Sequence, residues 1–244
     1  MIQLWSISDI GLVRKENQDT CAVYRCDEYA AGVVCDGMGG TAGGKTASIV
    51  AAHTFLEEFD KLWNPEMTPE QVKEMSSYAV SVANNAIGRV AEETPEFANM
   101  GTTLVAAVMM GENAVISNVG DSRAYLIRED SIVKITRDHS LVEQMVEQGT
   151  LTEEEARRHP KRNLITRALG PDTIATCDGY LCTVKPGEYL LLCSDGLVNT
   201  VSDQEILFEV LHGGDPDTCL DRLMAISKAN GAPDNVTVVL MKNA

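Results

Sequence analysis

The 244-residue sequence lacks the features of membrane and secreted proteins. Its longest apolar runs, such as LVAAVMM at 104–110, fall far short of the roughly 20 residues that a membrane-spanning helix needs. Its N-terminus, MIQLWSISDIG, has no basic segment and no cleavage-like site, so we expect a cytoplasmic protein without membrane contact. No linker, internal repeat or low-complexity tract interrupts the chain, which predicts a single domain over residues 1–244.

Paired cysteines and an excess of basic residues are also missing. The seven cysteines include no C-x-x-C, and several lie inside apolar runs, as Cys35 and Cys193 do. This pattern favours free thiols in a reducing compartment over disulfides or a cysteine-ligated zinc ion. The 20 Lys and Arg residues are outnumbered by 36 Asp and Glu residues, which gives a formal charge of −16. Because such a surface repels phosphate backbones, nucleic-acid binding is not expected, and a phosphorylated substrate would need a local cation.

One stretch that is present suggests a nucleotide site. Residues 39–46, GGTAGGKT, satisfy the G-x-x-x-x-G-K-[ST] pattern of a phosphate-binding loop, and a predicted helix at 44–62 follows them. Such a loop needs a parallel α/β sheet and starts directly after a strand. Here Asp36-Gly37-Met38 intervene, and the rest of the chain predicts antiparallel strands. A P-loop nucleotide triphosphatase, with YLLLCSD resembling its second acidic motif, therefore stands as an alternative hypothesis.

Helix signals surround a set of short strands. Thr68-Pro69-Glu70-Gln71 is a capping box, and apolar residues then recur at helical spacing until Pro95. Two more helices are predicted over 202–214 and 215–231. Four apolar runs within 102–138 are separated by turns too short for parallel crossovers, which predicts an antiparallel meander, and CDGYLCTV and EYLLLCSD predict a later hairpin. We therefore predict an α+β fold in which antiparallel sheets pack on each other beneath helices.

Four aspartates stand at the end of a predicted strand or just before one. Each alone fits a turn, as Asp-Gly does at two of the positions. Gathered at one edge of the sheets, their carboxylates would repel by about 1 kcal/mol per pair in water, and more when partly desolvated. Hard cations relieve such repulsion, and an all-oxygen ligand set selects Mg²⁺ or Mn²⁺ over Zn²⁺. The four are Asp36, Asp121, Asp195 and Asp234.

Such a site is suited to phosphoryl transfer. Two metal ions about 3.5–4 Å apart could hold a bridging hydroxide and stabilise both oxygens of an in-line displacement at phosphorus. Arg14, in the polar loop SDIGLVRKENQD at 8–19, supplies the local cation that the acidic chain requires. Its guanidinium is suited to bidentate recognition of a phosphate.

Eight motifs occur in order along the chain: SDIGLVRKENQD, VVCDGMGG, MGTT, NVGDSRAY, TRDHS, RNLITRALG, LLCSDGL and APDNVTVV. Together they resemble the metal-dependent protein phosphatases, the type 2C serine/threonine phosphatases, over essentially the whole length. The compact chain is similar to the bacterial members that reverse Hanks-type kinases. The resemblance implies a central antiparallel β-sandwich flanked on both faces by helix pairs, a four-layer αββα fold, with a flap at about 138–170 beside the active site.

The resemblance also implies a set of metal ligands. Asp36 would bridge two metal ions, Mn²⁺ or Mg²⁺, and the Gly37 carbonyl would be a further ligand of one of them. Asp195 and Asp234 would complete the other site. Asp121 with Asp195 would hold a third, weaker ion. The glycines Gly39, Gly40, Gly43 and Gly44 would then serve a tight turn beside the metals rather than a nucleotide loop.

Other residues receive roles from the same resemblance. Arg14 would bind the substrate phosphate, and Asp19 would lie behind the ligands and reach a metal ion through water. Met38 stands where some relatives carry a histidine proposed as general acid, and a thioether cannot donate a proton. Gln18 replaces a glutamate of some relatives, so we expect weaker binding of the second ion. His139 in TRDHS is interpreted as a structural histidine.

The predicted function is metal-dependent hydrolysis of phosphoserine and phosphothreonine in proteins. A metal-bridging hydroxide would attack phosphorus directly, with no covalent intermediate. The expected partners are phosphorylated proteins and a cognate serine/threonine kinase, and the protein is expected to be a monomer. A catalytically silent phosphoprotein-binding module is the second alternative, although a degenerate member would be expected to lose some of the aspartates.

Overall fold

The computed structural model describes residues 1–39, 43–170 and 174–244. The strands are β1 Ile2–Asp9, β2 Thr20–Arg25, β3 Ala30–Cys35, β4 Gly37–Met38, β5 Gly101–Thr102, β6 Leu104–Met110, β7 Asn113–Val119, β8 Arg123–Arg128, β9 Ser131–Lys134, β10 Asp178–Thr183, β11 Tyr189–Cys193 and β12 Val236–Asn243. The α-helices are α1 Gly43–Leu62, α2 Pro69–Glu93, α3 Leu141–Glu147, α4 Glu153–Arg158, α5 Asp195–Val198, α6 Asp203–His212 and α7 Cys219–Ala229. Within the described ranges, none of these helices combines the length and apolar character that a membrane span requires.

Two five-stranded antiparallel sheets face each other at the centre of the fold. The first has the strand order β1-β12-β11-β8-β9 and the second β10-β7-β6-β3-β2, while β4 and β5 form a separate two-stranded ribbon. Apolar side chains from both inner faces fill the space between the sheets. Fully buried examples are Val34, Val105, Ile116, Leu190 and Val239. The core between the sheets therefore fixes the sandwich.

Helices cover both outer faces of the sandwich. Phe55 and Phe59 of α1 and Ile87 of α2 are fully buried in one cluster with strands of the second sheet. On the opposite side, Ile206 of α6 and Leu223 of α7 are fully buried in a cluster with strands of the first sheet. The layer order is therefore α-β-β-α, and the predicted α+β sandwich is confirmed.

The helix starts follow local sequence signals. The Thr68 side chain accepts a hydrogen bond from the Gln71 backbone, and the Gln71 side chain accepts one from the Thr68 backbone, so the predicted capping box forms. Ser202 and Glu205 make the same exchange at the start of α6. The predicted helix over 215–231 begins as a 3₁₀ turn, Pro216–Thr218, and continues as α7.

Two strand pairings predicted from the sequence are wrong. The expected meander over 102–138 is divided, because β7 belongs to the second sheet and β8 to the first. The expected hairpin is divided too, since β10 pairs with β7 whereas β11 pairs with β8 and β12. In both places a short connection carries the chain from one layer to the other. The first crossing runs through Gly120, whose φ of +110° suits glycine, and places Asp121 at the edge of the sandwich.

Candidate active site

A cavity of about 510 Å³ opens at one edge of the sandwich. The loop after β1, the segment after β3, the β7–β8 crossing and the starts of α5 and β12 contribute to its wall. Six of the seven residues selected from the sequence line it: Arg14, Asp36, Gly37, Asp121, Asp195 and Asp234. The seventh, Asp19, is 7% exposed and close enough to raise the pKa of Asp36 by repulsion. The structure therefore brings together residues that are up to 220 positions apart in the chain.

The carboxylates of this cavity repel one another. Burial, and then the charges of Asp19, Asp195, Asp121 and Asp234, raise the pKa of Asp36 well above its ordinary value. Burial and the charge of Asp195 raise the pKa of Asp121 to about 7. Burial raises the pKa of Asp19 to about 6, and burial with the charge of Asp234 raises that of Asp195. Negative charge thus outweighs positive charge in the site, a condition that favours the binding of cations by carboxylates.

Hydroxyl groups tie the Asp36 and Asp121 turns together. The Asp36 backbone N–H donates to Thr103 Oγ1 at 2.9 Å, and the Thr103 backbone N–H donates to the Asp36 carbonyl at 2.9 Å. Thr103 Oγ1 in turn lies 2.7 Å from Ser122 Oγ, next to Asp121. Both hydroxyl side chains are buried. The sequence motifs MGTT and GDS contain these residues, but only the fold shows that they hold the Asp36 and Asp121 turns in register.

Asp19 is held behind the cavity. Its Oδ2 accepts a hydrogen bond of 2.7 Å from Ser194 Oγ, and Ser194 Oγ accepts one of 3.0 Å from the Thr237 backbone N–H. Ser194 immediately precedes Asp195. The position of Asp19 is therefore fixed by the two strands whose ends carry Asp195 and Asp234.

The Arg14 loop is fastened to the segment before β12. Asn235 Oδ1 accepts a hydrogen bond from the Gln18 backbone at 2.9 Å, and its Nδ2 donates to the carbonyls of Ile10 at 3.0 Å and Glu16 at 3.1 Å. Asn235 is 6% exposed, so these bonds are shielded from water. The sequence offered Asn235 only as part of APDNVTVV, and its contacts to a loop 217 to 225 positions away were not predicted. Three backbone groups of the Arg14 loop bond to this one side chain.

Arg14 itself contacts the acidic cluster. Its Nη2 lies 2.6 Å from Asp234 Oδ2, and its side chain is 56% exposed. The hydrogen bond to Asp234 raises the pKa of Arg14, so the guanidinium stays charged at the cavity rim. The remaining donors of the guanidinium fork leave it able to meet an anion that enters the cavity.

The glycine-rich stretch serves close packing. A Cβ on Gly37 would lie 2.2 Å from the Gly44 carbonyl oxygen, and a Cβ on Gly44 would lie 2.8 Å from the Gly37 carbonyl carbon. The start of α1 can therefore approach β4 only because both positions are glycine. Of the four glycines assigned to a tight turn, Gly40 lies outside the described residues. Lys45 is exposed, and its Nζ lies 3.7 Å from Glu16 Oε1.

Lys45→Ala is expected to leave kcat/KM for a phosphopeptide within about twofold of the wild-type value, because an exposed pair at this distance contributes little. Phosphate release from a phosphothreonine peptide and from ATP, measured side by side, checks this. The prediction would be contradicted if Lys45→Ala abolished ATP hydrolysis while a substitution of Asp36 left activity intact.

The donor set of the cavity fits hard divalent ions. Its lining includes the four aspartates, Gly37, Thr103 and Asn163, and no histidine or cysteine is among the described residues that line it. In the described ranges, no three acidic, histidine or cysteine side chains converge closely enough to hold one ion alone. Mg²⁺-type ions commonly take one or two carboxylates and keep several waters, so this arrangement suits them and would not suit a closed zinc site.

Comparison with known proteins gives matches over nearly the whole chain. Residues 13–235 match the family model described as Protein phosphatase 2C. The chain is 36% identical to the serine/threonine phosphatase stp of Listeria innocua over 239 residues, which cover 96% of this chain and 93% of that protein.

Solved structures agree with this match. The serine/threonine phosphatase Stp1 from Staphylococcus aureus is similar with a TM-score of 0.91 and 34% identity, covering 99% of this chain and 95% of that one. The catalytic domain of the serine threonine protein phosphatase PstP, solved in complex with two manganese ions, is similar with a TM-score of 0.83 and 34% identity. That alignment covers 99% of this chain and 97% of the PstP domain.

Proposed function

This chain belongs to the protein phosphatase 2C family, and we propose that it hydrolyses phosphoserine and phosphothreonine in proteins at the cavity described above. The full-length relatives are serine/threonine phosphatases, and the chain is a metal-dependent phosphoprotein phosphatase. The observation that carries the assignment to this cavity is the convergence of Arg14 with four mutually repelling aspartates.

Both alternatives are less well supported. A P-loop nucleotide triphosphatase needs a parallel sheet, whereas every strand pair in the described part of the chain is antiparallel. A silent phosphoprotein-binding module would have no use for a carboxylate cluster whose burial and repulsion cost stability. Retention of all four cavity aspartates favours turnover.

The proposed ligands are those that the sequence selected. Asp36 and the Gly37 carbonyl, with Asp195 and Asp234, would hold two core ions, and Asp121 with Asp195 would hold a third. Mn²⁺ and Mg²⁺ both suit these oxygen donors, and the two manganese ions of the PstP domain favour Mn²⁺ here. When bound, the ions would supply Lewis-acid chemistry, making a water molecule acidic enough to attack phosphorus and stabilising charge on the phosphoryl oxygens.

The chain's own residues would position the reactants. Arg14 would orient the phosphoryl group through paired N–H donors. Its guanidinium would then donate both to the phosphoryl oxygens and to Asp234. Asp19 would orient the ligand-bearing strands through Ser194. Met38 lines the cavity but has no proton to donate, so the proton for the departing serine or threonine oxygen would come from water.

Residues 1–244 would form one catalytic domain, and the segment 138–170 would act as the flap. Asn163 and Ile165 of this segment line the cavity, which supports a role in substrate choice. The proposed partners are phosphorylated proteins and a cognate serine/threonine kinase, met by a monomeric enzyme in the cytoplasm.

A metal-dependent assay tests the proposed function. Purified protein treated with chelator should release no phosphate from a phosphothreonine peptide, and Mn²⁺ should restore release at least about a hundredfold. The same peptide should bind the metal-free protein only weakly, because Arg14 alone would hold the phosphate. Phosphate release that persists in excess chelator, or stoichiometric peptide binding without release in Mn²⁺, would contradict the proposal.

A further inference from the structure

His139 lies at a junction of three parts of the chain. It is 5% exposed and sits at the N-terminal end of the segment 138–170. One side of its ring faces the β7–β8 crossing that carries Asp121, and the other faces Asp178, the first residue of β10. A buried imidazole with partners on both ring nitrogens has a fixed orientation and a fixed tautomer.

The contacts toward the crossing hold Gly120 from both sides. The Gly120 backbone N–H donates to His139 Nδ1 at 3.0 Å, and the His139 backbone N–H donates to the Gly120 carbonyl at 2.9 Å. Because a backbone N–H can only donate, Nδ1 must be the acceptor and the ring proton is on Nε2. Gly120 is also tightly enclosed, since a Cβ there would lie 2.6 Å from Thr103 Cγ2. His139 therefore holds the backbone that leads directly into Asp121, together with Asn118, whose Nδ2 donates to the Gly120 carbonyl at 3.3 Å.

The contacts on the other side join both ends of the flap segment. His139 Nε2 lies 3.0 Å from Asp178 Oδ2, and Arg167 Nη1 donates to Asp178 Oδ1 at 2.9 Å. The His139 carbonyl accepts a hydrogen bond of 2.7 Å from the Thr166 backbone. Burial alone would raise the pKa of Asp178, but the bonds from His139 and Arg167 outweigh it and the pKa is lowered, so the carboxylate stays charged. His139, Thr166, Arg167 and Asp178 together form the flap base.

We propose that His139 is a positioning residue that locks the Asp121 turn to the flap base, so that loosening this base also loosens the turn. The imidazole is the only side chain in the described ranges that bonds both Gly120 and Asp178. A phosphoprotein that displaces the flap would then also shift the Asp121 carboxylate. The inference rests on the proposed role of Asp121 in the cavity, but its physical content is a mechanical coupling that exists without metal or substrate.

Two variants separate the two halves of the contact. Asp178→Ala removes the partner on the flap side and leaves Gly120 its acceptor. His139→Gln keeps an N–H donor near the Nε2 position for Asp178 but removes the acceptor for Gly120. His53→Gln, at an exposed histidine on α1, is the matched control. Asp178→Asn keeps the side-chain shape and replaces the alanine variant if that one fails to fold.

Flap opening and turn mobility are measured separately in the metal-free protein. Tryptic cleavage at the exposed residues Arg157, Arg158, Lys161 and Arg162 reports on the flap. Hydrogen exchange in a peptide covering 117–123 reports on the turn, with a peptide from β6 as the internal reference. We expect Asp178→Ala to speed both about tenfold, since the loss of the hydrogen bond from His139, at about 1.4 kcal/mol, gives this factor. His139→Gln should speed exchange in the turn and leave cleavage nearly unchanged.

Kinetics in Mn²⁺ give a second readout. His139→Gln should lower kcat at unchanged KM, whereas Asp178→Ala should change both constants, because only the latter frees the flap. Faster cleavage in Asp178→Ala with wild-type exchange at 117–123 would overturn the coupling, as would exchange that rises equally in β6. Exchange and cleavage are measured without metal, so they test the coupling even if the wild-type protein has no phosphatase activity. Absence of that activity would count against the proposed function alone.

Discussion

Asp36→Asn is expected to lower phosphatase activity about a hundredfold to a thousandfold, the scale on which removal of a group that stabilises transition-state charge acts. Asp36 lines the cavity, and burial together with the charges of four other aspartates raises its pKa. If it bridges two ions, asparagine would supply one neutral oxygen where two charged ones are needed. The substituted side chain keeps its size, so the fold should be preserved.

The same substitution should make the metal-free protein more stable. Burial and repulsion raise the pKa of Asp36 in the folded chain, so its negative charge is less favourable there than in the unfolded chain and, at neutral pH, favours unfolding. The metal-free fold is therefore favoured at low pH, where this carboxyl is protonated, and stability is lost as the pH rises through the folded pKa. Asparagine removes that charge. We expect Tm without metal to rise by a few degrees, given about 2–4 °C per 1 kcal/mol at this chain length.

Thermal unfolding and phosphate release, each with and without Mn²⁺, check both halves of the prediction. Mn²⁺ should raise Tm in the wild type, because a ligand that binds only the folded state stabilises it, and should have little effect on Asp36→Asn. Asp27→Asn, at an exposed aspartate outside the cavity, is the matched control and should resemble the wild type. A variant with near-normal activity, or one that is less stable than the wild type without metal, would show that Asp36 lacks the assigned role.

Arg14→Ala is expected to lower kcat/KM about a hundredfold, while Arg14→Lys should recover only part of the loss. The guanidinium lies in the cavity at 2.6 Å from Asp234, and its planar fork provides paired donors that an ammonium group lacks. A phosphoryl group left unoriented would lose a large share of the rate that positioning supplies. Stability should change little, because the pair with Asp234 is more than half exposed on the arginine side.

Steady-state kinetics on one phosphothreonine peptide, with Arg89→Ala on the exposed face of α2 as control, measure this effect. A rise in KM for Arg14→Ala, together with unchanged metal affinity by calorimetry, would place Arg14 on the substrate. An unchanged kcat/KM, or a loss explained wholly by weaker Mn²⁺ binding, would instead mean that Arg14 serves only to neutralise Asp234.

Local signals in the sequence predicted local structure well. The capping boxes at Thr68 and Ser202 depend on residues three positions apart, and both form. The aspartates at strand ends were also informative, because strand direction and sheet stacking bring such positions to one edge. Sheet membership was not predictable in the same way. A two- or three-residue turn such as GDS permits a hairpin, and only the competition among all strands for partners decides that β7 and β8 separate.

Residues that position the site escaped sequence reasoning for the same reason. Asn235 and Thr103 have ordinary turn or strand contexts, and their importance depends on backbone groups far away in the chain. His139 was interpreted as structural, but its partners Gly120 and Asp178 are 19 and 39 positions away, so its contacts could not be predicted. The hydrogen-bond partners of a buried polar side chain are set by the tertiary structure, and a single sequence does not show them.

Two free cysteines can report local opening of the sandwich through the reactivity of their thiols. Cys35 directly precedes Asp36, and Cys193 lies two residues before Asp195; both are fully buried. Burial raises the pKa of Cys193 to about 12 and that of Cys35 well above its ordinary value, so neither thiol reacts readily while the sandwich is closed. Alkylation at these two positions therefore records how often β3 and β11 open. A cation that binds the adjoining carboxylates would slow the alkylation of both thiols without binding to either sulfur atom.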